Sequence, residues 1–183
     1  MEVPKQYNSF EYVCNIEWND IFAVWRAGES YQEGWKSHWL ERGFDSWDAW
    51  RGNYVAPIFP ENKNWKIYRI KNLDEIREIY GTPSRGWIEK CYDGEITKKI
   101  GDILEYPIIK NNDKIQAILK NFPYQTMLTG VINDGRIVLI EGMHRTCALA
   151  IMAENKIEHN GDVMIALAEH EGEIPRIGKG NNN

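Results

Sequence analysis

Long apolar runs are missing from this 183-residue chain: nothing in it approaches the roughly eighteen consecutive apolar positions of a membrane-spanning helix, so no membrane partner is expected. Its first residues, Met1-Glu2-Val3-Pro4-Lys5-Gln6, have neither the basic cluster nor the apolar core of a secretory signal, and the expected location is cytoplasmic. Cysteines are few. Cys14, Cys91 and Cys147 stand far apart with no CxxC pair, which argues for reduced thiols over a disulfide frame or a zinc site. His38, His159 and His170 lack a second ligand at metal spacing, so no protein metal centre is expected. Basic excess is missing as well: 22 Lys and Arg against 27 Asp and Glu give a net charge of −5, which argues against nucleic acid as a partner.

Tryptophan, by contrast, is abundant. Trp18, Trp25, Trp35, Trp39, Trp47 and Trp50 fall at helical spacings, and helices are expected near residues 18–27, 29–42 and 46–51. Residues 1–62 therefore read as a Trp-rich helical extension, closed by the linker Pro57-Ile58-Phe59-Pro60-Glu61-Asn62. Two roles suit the indoles: a packed helical layer, or an aromatic wall for a flat or cationic ligand.

The most informative stretch lies at residues 137–150. The β-branched run Ile137-Val138-Leu139-Ile140 stops at Glu141-Gly142, and Met143-His144-Arg145-Thr146 then opens a run of helix formers. This predicts strand, tight turn and helix. Backbone N–H groups at a helix start lack internal partners and face the positive end of the helix dipole, so the turn suits an anion. Gly142 would let the anion approach closely, while His144, Arg145 and Thr146 add side-chain donors and Glu141 leaves a carboxylate at the lip. The other reading of the same residues is a buried strand entering an amphipathic helix.

Around this motif the pattern predicts a strand at 65–70, a helix after Asn72, a loop at 81–86 and a short helix at 87–90. A helix at 114–121 follows, capped by Asn111-Asn112-Asp113, and Asp134-Gly135 between two apolar runs signals a hairpin. A last strand is expected at 162–168, with a disordered tail over 173–183.

Glu141-Gly142-Met143-His144-Arg145, followed by Ala148-Leu149-Ala150, resembles the Asp/Gly-Gly-x-His-Arg signature of the ParB/sulfiredoxin-like superfamily, the ParB-like nuclease domain, and the order of elements from about Trp65 to His170 agrees. The resemblance implies an α+β fold with a small mixed sheet and helices over residues 63–172, and a turn that binds nucleotide phosphates through Gly142, Met143, His144, Arg145 and Thr146. It also suggests Arg85, after the proline-containing loop, as a substrate or phosphate contact; a surface arginine in a turn is the simpler account. Members range from partition proteins that bind CTP and DNA, through ATP-dependent sulfiredoxin, to kinases of free serine. Sulfiredoxin chemistry needs a cysteine where Met143 stands, and a thioether forms no thiolate. A partition protein carries a DNA-reading domain, for which the chain is expected to leave no room beyond its last strand. The kinase analogy uses the most residues: Glu141 would position Mg²⁺ or the acceptor hydroxyl, and His144 and Arg145 would stabilise charge on the transferred group. The expectation is an ATP- or ADP-dependent phosphotransferase, with Mg²⁺, acting on a small hydroxylated metabolite. A second carboxylate would come from Glu61, Asp74, Glu75 or Glu78. The alternative is a non-catalytic nucleotide-binding regulatory or DNA-associated ParB-like module.

Overall fold

In the computed structural model, which describes residues 2–178, alternation along the strands decides the layering. Along β4 (Arg136–Glu141), Ile137 and Leu139 join one apolar core while Val138 and Ile140 join another, and all four are fully buried. A strand dry on both sides requires cover on both. Helices supply it, giving an α+β architecture around a five-stranded open mixed sheet ordered β1-β2-β5-β3-β4.

The strands are β1 (Phe10–Ile16), β2 (Trp65–Ile70), β3 (Gln125–Asn133), β4 and β5 (Asp162–Glu169). All neighbours are antiparallel except β3 and β5, which run parallel. The β3–β4 hairpin turns at Asp134 and Gly135, whose φ values of 48° and 72° are the paired left-handed conformations that Asp-Gly favours. The parallel step from β3 to β5 accommodates β4 and the crossover helix α8 (Met143–Glu154), which lies on one face with α4 (Arg85–Cys91), α5 (Ile100–Ile103) and α7 (Asp113–Lys120). A short helix α6 (Pro107–Lys110) leads into α7, whose cap Asn112 accepts from the amides of Lys114 and Ile115 at 3.1 and 3.2 Å. After Asn72 the chain forms only a six-residue 3₁₀ helix, Leu73–Glu78.

On the opposite face lie α1 (Trp18–Glu29), α2 (Glu33–Glu41) and α3 (Trp47–Val55), the last capped by Ser46. Trp18, Trp25, Trp39, Trp47, Trp50 and Trp65 are buried there, above the small Ala166 and Ala168 of β5. Burying one indole removes roughly 200 Å² from water, worth about 5 kcal/mol of transfer free energy before entropy is counted. Trp25 also donates to the buried Thr129 hydroxyl at 3.0 Å, pinning α1 to β3.

Two expectations need correction. Residues 1–62 are not wholly helical: Phe10–Ile16 forms the edge strand β1 and pairs with β2, so β2 is an inner strand. Most of the β1 side chains are exposed, and a strand held mainly by its backbone ladder shows no burial period to read. The segment from residue 173 is also not free where it is described. Ile174 and Ile177 are buried beneath the tryptophan layer, and the amides of Ile177 and Gly178 donate to the carbonyls of Pro83 and Tyr54. Residues 179–183, the rest of the expected disordered tail, lie outside the described residues.

Candidate functional site

The turn between β4 and α8 folds as its sequence requires. Gly142 is the N-cap of α8 at φ 99°, in the left-handed region, and a Cβ there would meet Leu128 Cδ2 at 2.6 Å. Glycine satisfies both constraints at once. The first helical hydrogen bond runs from Thr146 N–H to the Gly142 carbonyl, and the amides of Met143, His144 and Arg145 find no acceptor among the described residues. Such amides carry the positive end of the helix dipole.

The side chains around the turn are less free than the sequence suggests. Arg145 Nη2 donates to both oxygens of Glu141, at 2.7 and 2.6 Å, and its Nη1 donates to Thr126 Oγ1 at 2.8 Å. Carboxylate and guanidinium thus satisfy each other. Thr146 departs from its expected role: it is fully buried and its hydroxyl donates back to the Gly142 carbonyl at 3.0 Å, so neither its side chain nor its amide faces a ligand. His144 packs against the Trp87 ring, edge to face at 5.2 Å. Burial, with a smaller contribution from the Lys114 charge, holds its imidazole down to about 4, so it is neutral near pH 7.

This turn opens on a cleft of about 1080 Å³ between the tryptophan helices and α4, α7 and α8. Gly142, Met143, His144, Arg145 and Glu141 all line it, and Arg85 stands at its rim, exposed and paired with Glu89 at 2.7 Å. None of Glu61, Asp74, Glu75 and Glu78 does; the other carboxylates of the cleft are Glu29, Glu41 and Glu89. Six lining side chains are cationic against four carboxylates, although the whole chain is acidic at −5.

Of the other lining residues, Arg51 stands in the sequence among cations interleaved with the tryptophans that could serve phosphates or form a solvated face, whereas Tyr54, Lys114 and Thr82 carried no signal. Arg51, on α3, donates to Glu29 at 2.7 and 2.5 Å and lies 4.7 to 5.2 Å from the ring centres of Tyr54, Trp50 and Trp25. Burial works against its charge, but Glu29 and the neighbouring acids outweigh that and raise its pKa. Tyr54, half-buried in the same wall, has its hydroxyl pushed up to about 12 by burial, so it stays protonated. Lys114 holds its ammonium 4.4 Å from the Trp35 ring centre and has no carboxylate partner among the described residues. Thr82 is 2% exposed, lines the cleft, and its hydroxyl has no hydrogen-bond partner among the described residues. On sequence alone Lys114 is one more polar residue on a helix face and Thr82 one more turn residue; only the folded chain sets them beside α8.

No protein-family model, curated protein or solved structure matches this chain. Among the described residues no three His, Cys, Asp or Glu side chains converge as a metal site, and no helix is long and apolar enough to cross a membrane.

Proposed function

We propose that the cleft binds a nucleotide, ATP or ADP, with its phosphates at the first turn of α8, and that the chain moves a phosphoryl group from it to a small hydroxylated metabolite. The observation that carries this reading is the set of three unbonded amides, Met143, His144 and Arg145, opening into a cleft with an excess of cations. Amides at a helix start suit phosphate oxygens and need no reorganisation as charge builds on the transferred group. Arg145 is the fork for a phosphate once it exchanges Glu141 for the ligand, a swap that releases the carboxylate. The acceptor oxygen would then bond to phosphorus as the bridging P–O bond to the nucleotide breaks, and Glu141 would take the hydroxyl proton. His144, neutral at working pH, offers a hydrogen bond and not a charge.

Mg²⁺ fits this donor set only as an ion brought by the phosphates, since it is commonly held by one or two carboxylates with water. Glu141 would be its protein ligand, and the ion would offset phosphate charge.

One observation favours a second reading. With Glu141 closed on Arg145, the turn has a phosphate cradle but no free base, which suits a nucleotide sensor. Turnover separates the two. A thermal-shift titration with ATP, ADP, CTP and GTP, with and without Mg²⁺, should raise the melting temperature of the wild type and much less that of Arg145→Ala; a hundredfold excess over Kd stabilises by about 2.7 kcal/mol. Phosphorus NMR with a panel of hydroxylated acceptors then reports transfer. No shift with any nucleotide overturns both readings, and binding without transfer leaves the sensor.

A further inference from the structure

The cleft is longer than a phosphate cradle needs, and its remaining walls are aromatic. Two of its indoles are only half-buried: Trp87 on α4, beside the motif, and Trp35 on α2, across the cleft. Trp87 has one ring neighbour among the described residues, the edge contact with His144, and its indole N–H donates to nothing there. Trp35 packs on Trp50 at 5.4 Å and carries the unpaired Lys114 ammonium. The N–H groups of Trp25, Trp47 and Trp65 have protein acceptors, whereas those of the buried Trp18, Trp39 and Trp50, like that of Trp87, have none among the described residues. Trp87 and Trp35 are each partly buried against one of the two cores and line the cleft with the rest of the ring.

We infer that the ligand of this cleft carries a flat aromatic ring as well as an anionic group, and that the ring stacks on Trp87, with Trp35 and Lys114 closing the opposite side. This rests on the phosphate placement proposed above and adds the second pole: amides of Met143 to Arg145 and the orphan Thr82 hydroxyl for the anion, indoles for a nucleobase. Trp87 touches His144, the residue that follows the first amide of the cradle, so ring and anion positions adjoin. Stacking on an indole tolerates any base, because every base has a π-face.

The test compares a nucleotide with its phosphates alone, on the full chain. Kd values for ATP, CTP and inorganic tripolyphosphate, each with Mg²⁺, are measured by calorimetry for wild type, Trp87→Leu and Trp87→Phe. Wild type should bind both nucleotides roughly tenfold or more tighter than tripolyphosphate. Trp87→Leu should bring the nucleotides down to the tripolyphosphate level while leaving tripolyphosphate unchanged, which also certifies that the variant is folded. Trp87→Phe, which keeps a ring, should recover much of the difference. Equal affinity of wild type for ATP and tripolyphosphate overturns the inference but leaves the phosphate cradle standing, as does a Trp87→Leu variant that loses both ligands together. If wild type binds neither nucleotide nor tripolyphosphate, the phosphate placement itself falls, and the inference with it.

Discussion

Arg145 grips both carboxylate oxygens of Glu141, four residues earlier in the chain, at 2.6 and 2.7 Å, and so ties the last residue of β4 to the first turn of α8. On the proposed reading, the pair keeps two opposite charges engaged until a phosphate competes for Arg145. Replacing Glu141 by Gln should therefore separate binding from chemistry. A freed Arg145 should hold phosphate at least as tightly as in the wild type, while phosphoryl transfer should fall by roughly a hundredfold, the usual order for loss of a proton acceptor. Calorimetry and a turnover assay on the same preparation check both halves.

Gly142 carries a structural demand independent of any ligand. At φ 99°, with Leu128 Cδ2 2.6 Å from the site of an added Cβ, Gly142→Ala meets both a strained backbone and a clash. Urea unfolding should show a loss of about 2 to 4 kcal/mol, the strained conformation alone costing about 1 to 3.

His144 makes stability depend on pH in a defined window. Its folded pKa, about 4, lies below its ordinary value of 6.5, so the unfolded chain takes up a proton before the folded one does. This contribution is complete above pH 6.5 and is lost as pH falls toward 4, at about 1 kcal/mol per pH unit. His144→Gln should flatten that slope in denaturation curves recorded between pH 4 and 7. Bound phosphate should oppose it, because an anion favours the imidazolium.

The Arg51–Glu29 pair sits in the wall of the cleft, with 8% and 15% of the side chains exposed. Glu29→Gln leaves a buried guanidinium without its counter-charge, and the expected cost is about 3 kcal/mol. Arg51→Met together with Glu29→Gln should recover part of that loss, which a double-mutant cycle by chemical denaturation measures directly.

The strand-turn-helix at 137–150 was legible because each local signal agreed: β-branched run, a glycine where φ is positive, helix formers after it. Asp134-Gly135 declared its hairpin for the same reason. Strand β1 was not legible, since its residues are mostly exposed and its partner β2 lies about fifty residues downstream. Likewise the tryptophan spacing announced helices but not that they would face the motif across a cleft. The contact between Glu141 and Arg145 did leave a trace, an acid and a base four apart, yet one member ends a strand and the other begins a helix, where the helical spacing rule does not apply. Thr146 was misplaced for a related reason: a hydroxyl in the first turn can face out to a ligand or back to the helix, and the apolar surroundings chose the second.

Strand β5 is the last of the described strands and lies in the middle of the sheet, between β2 and β3. In the sheet order, β5 stands between the β1–β2 pair and the β3–β4 hairpin. The five-stranded sheet is therefore complete only when β5, distant in sequence from β2, is in place beside both β2 and β3. Pairing of residues 66–69 with 164–167 closes a loop of nearly a hundred residues, a non-local contact of the kind that slows folding.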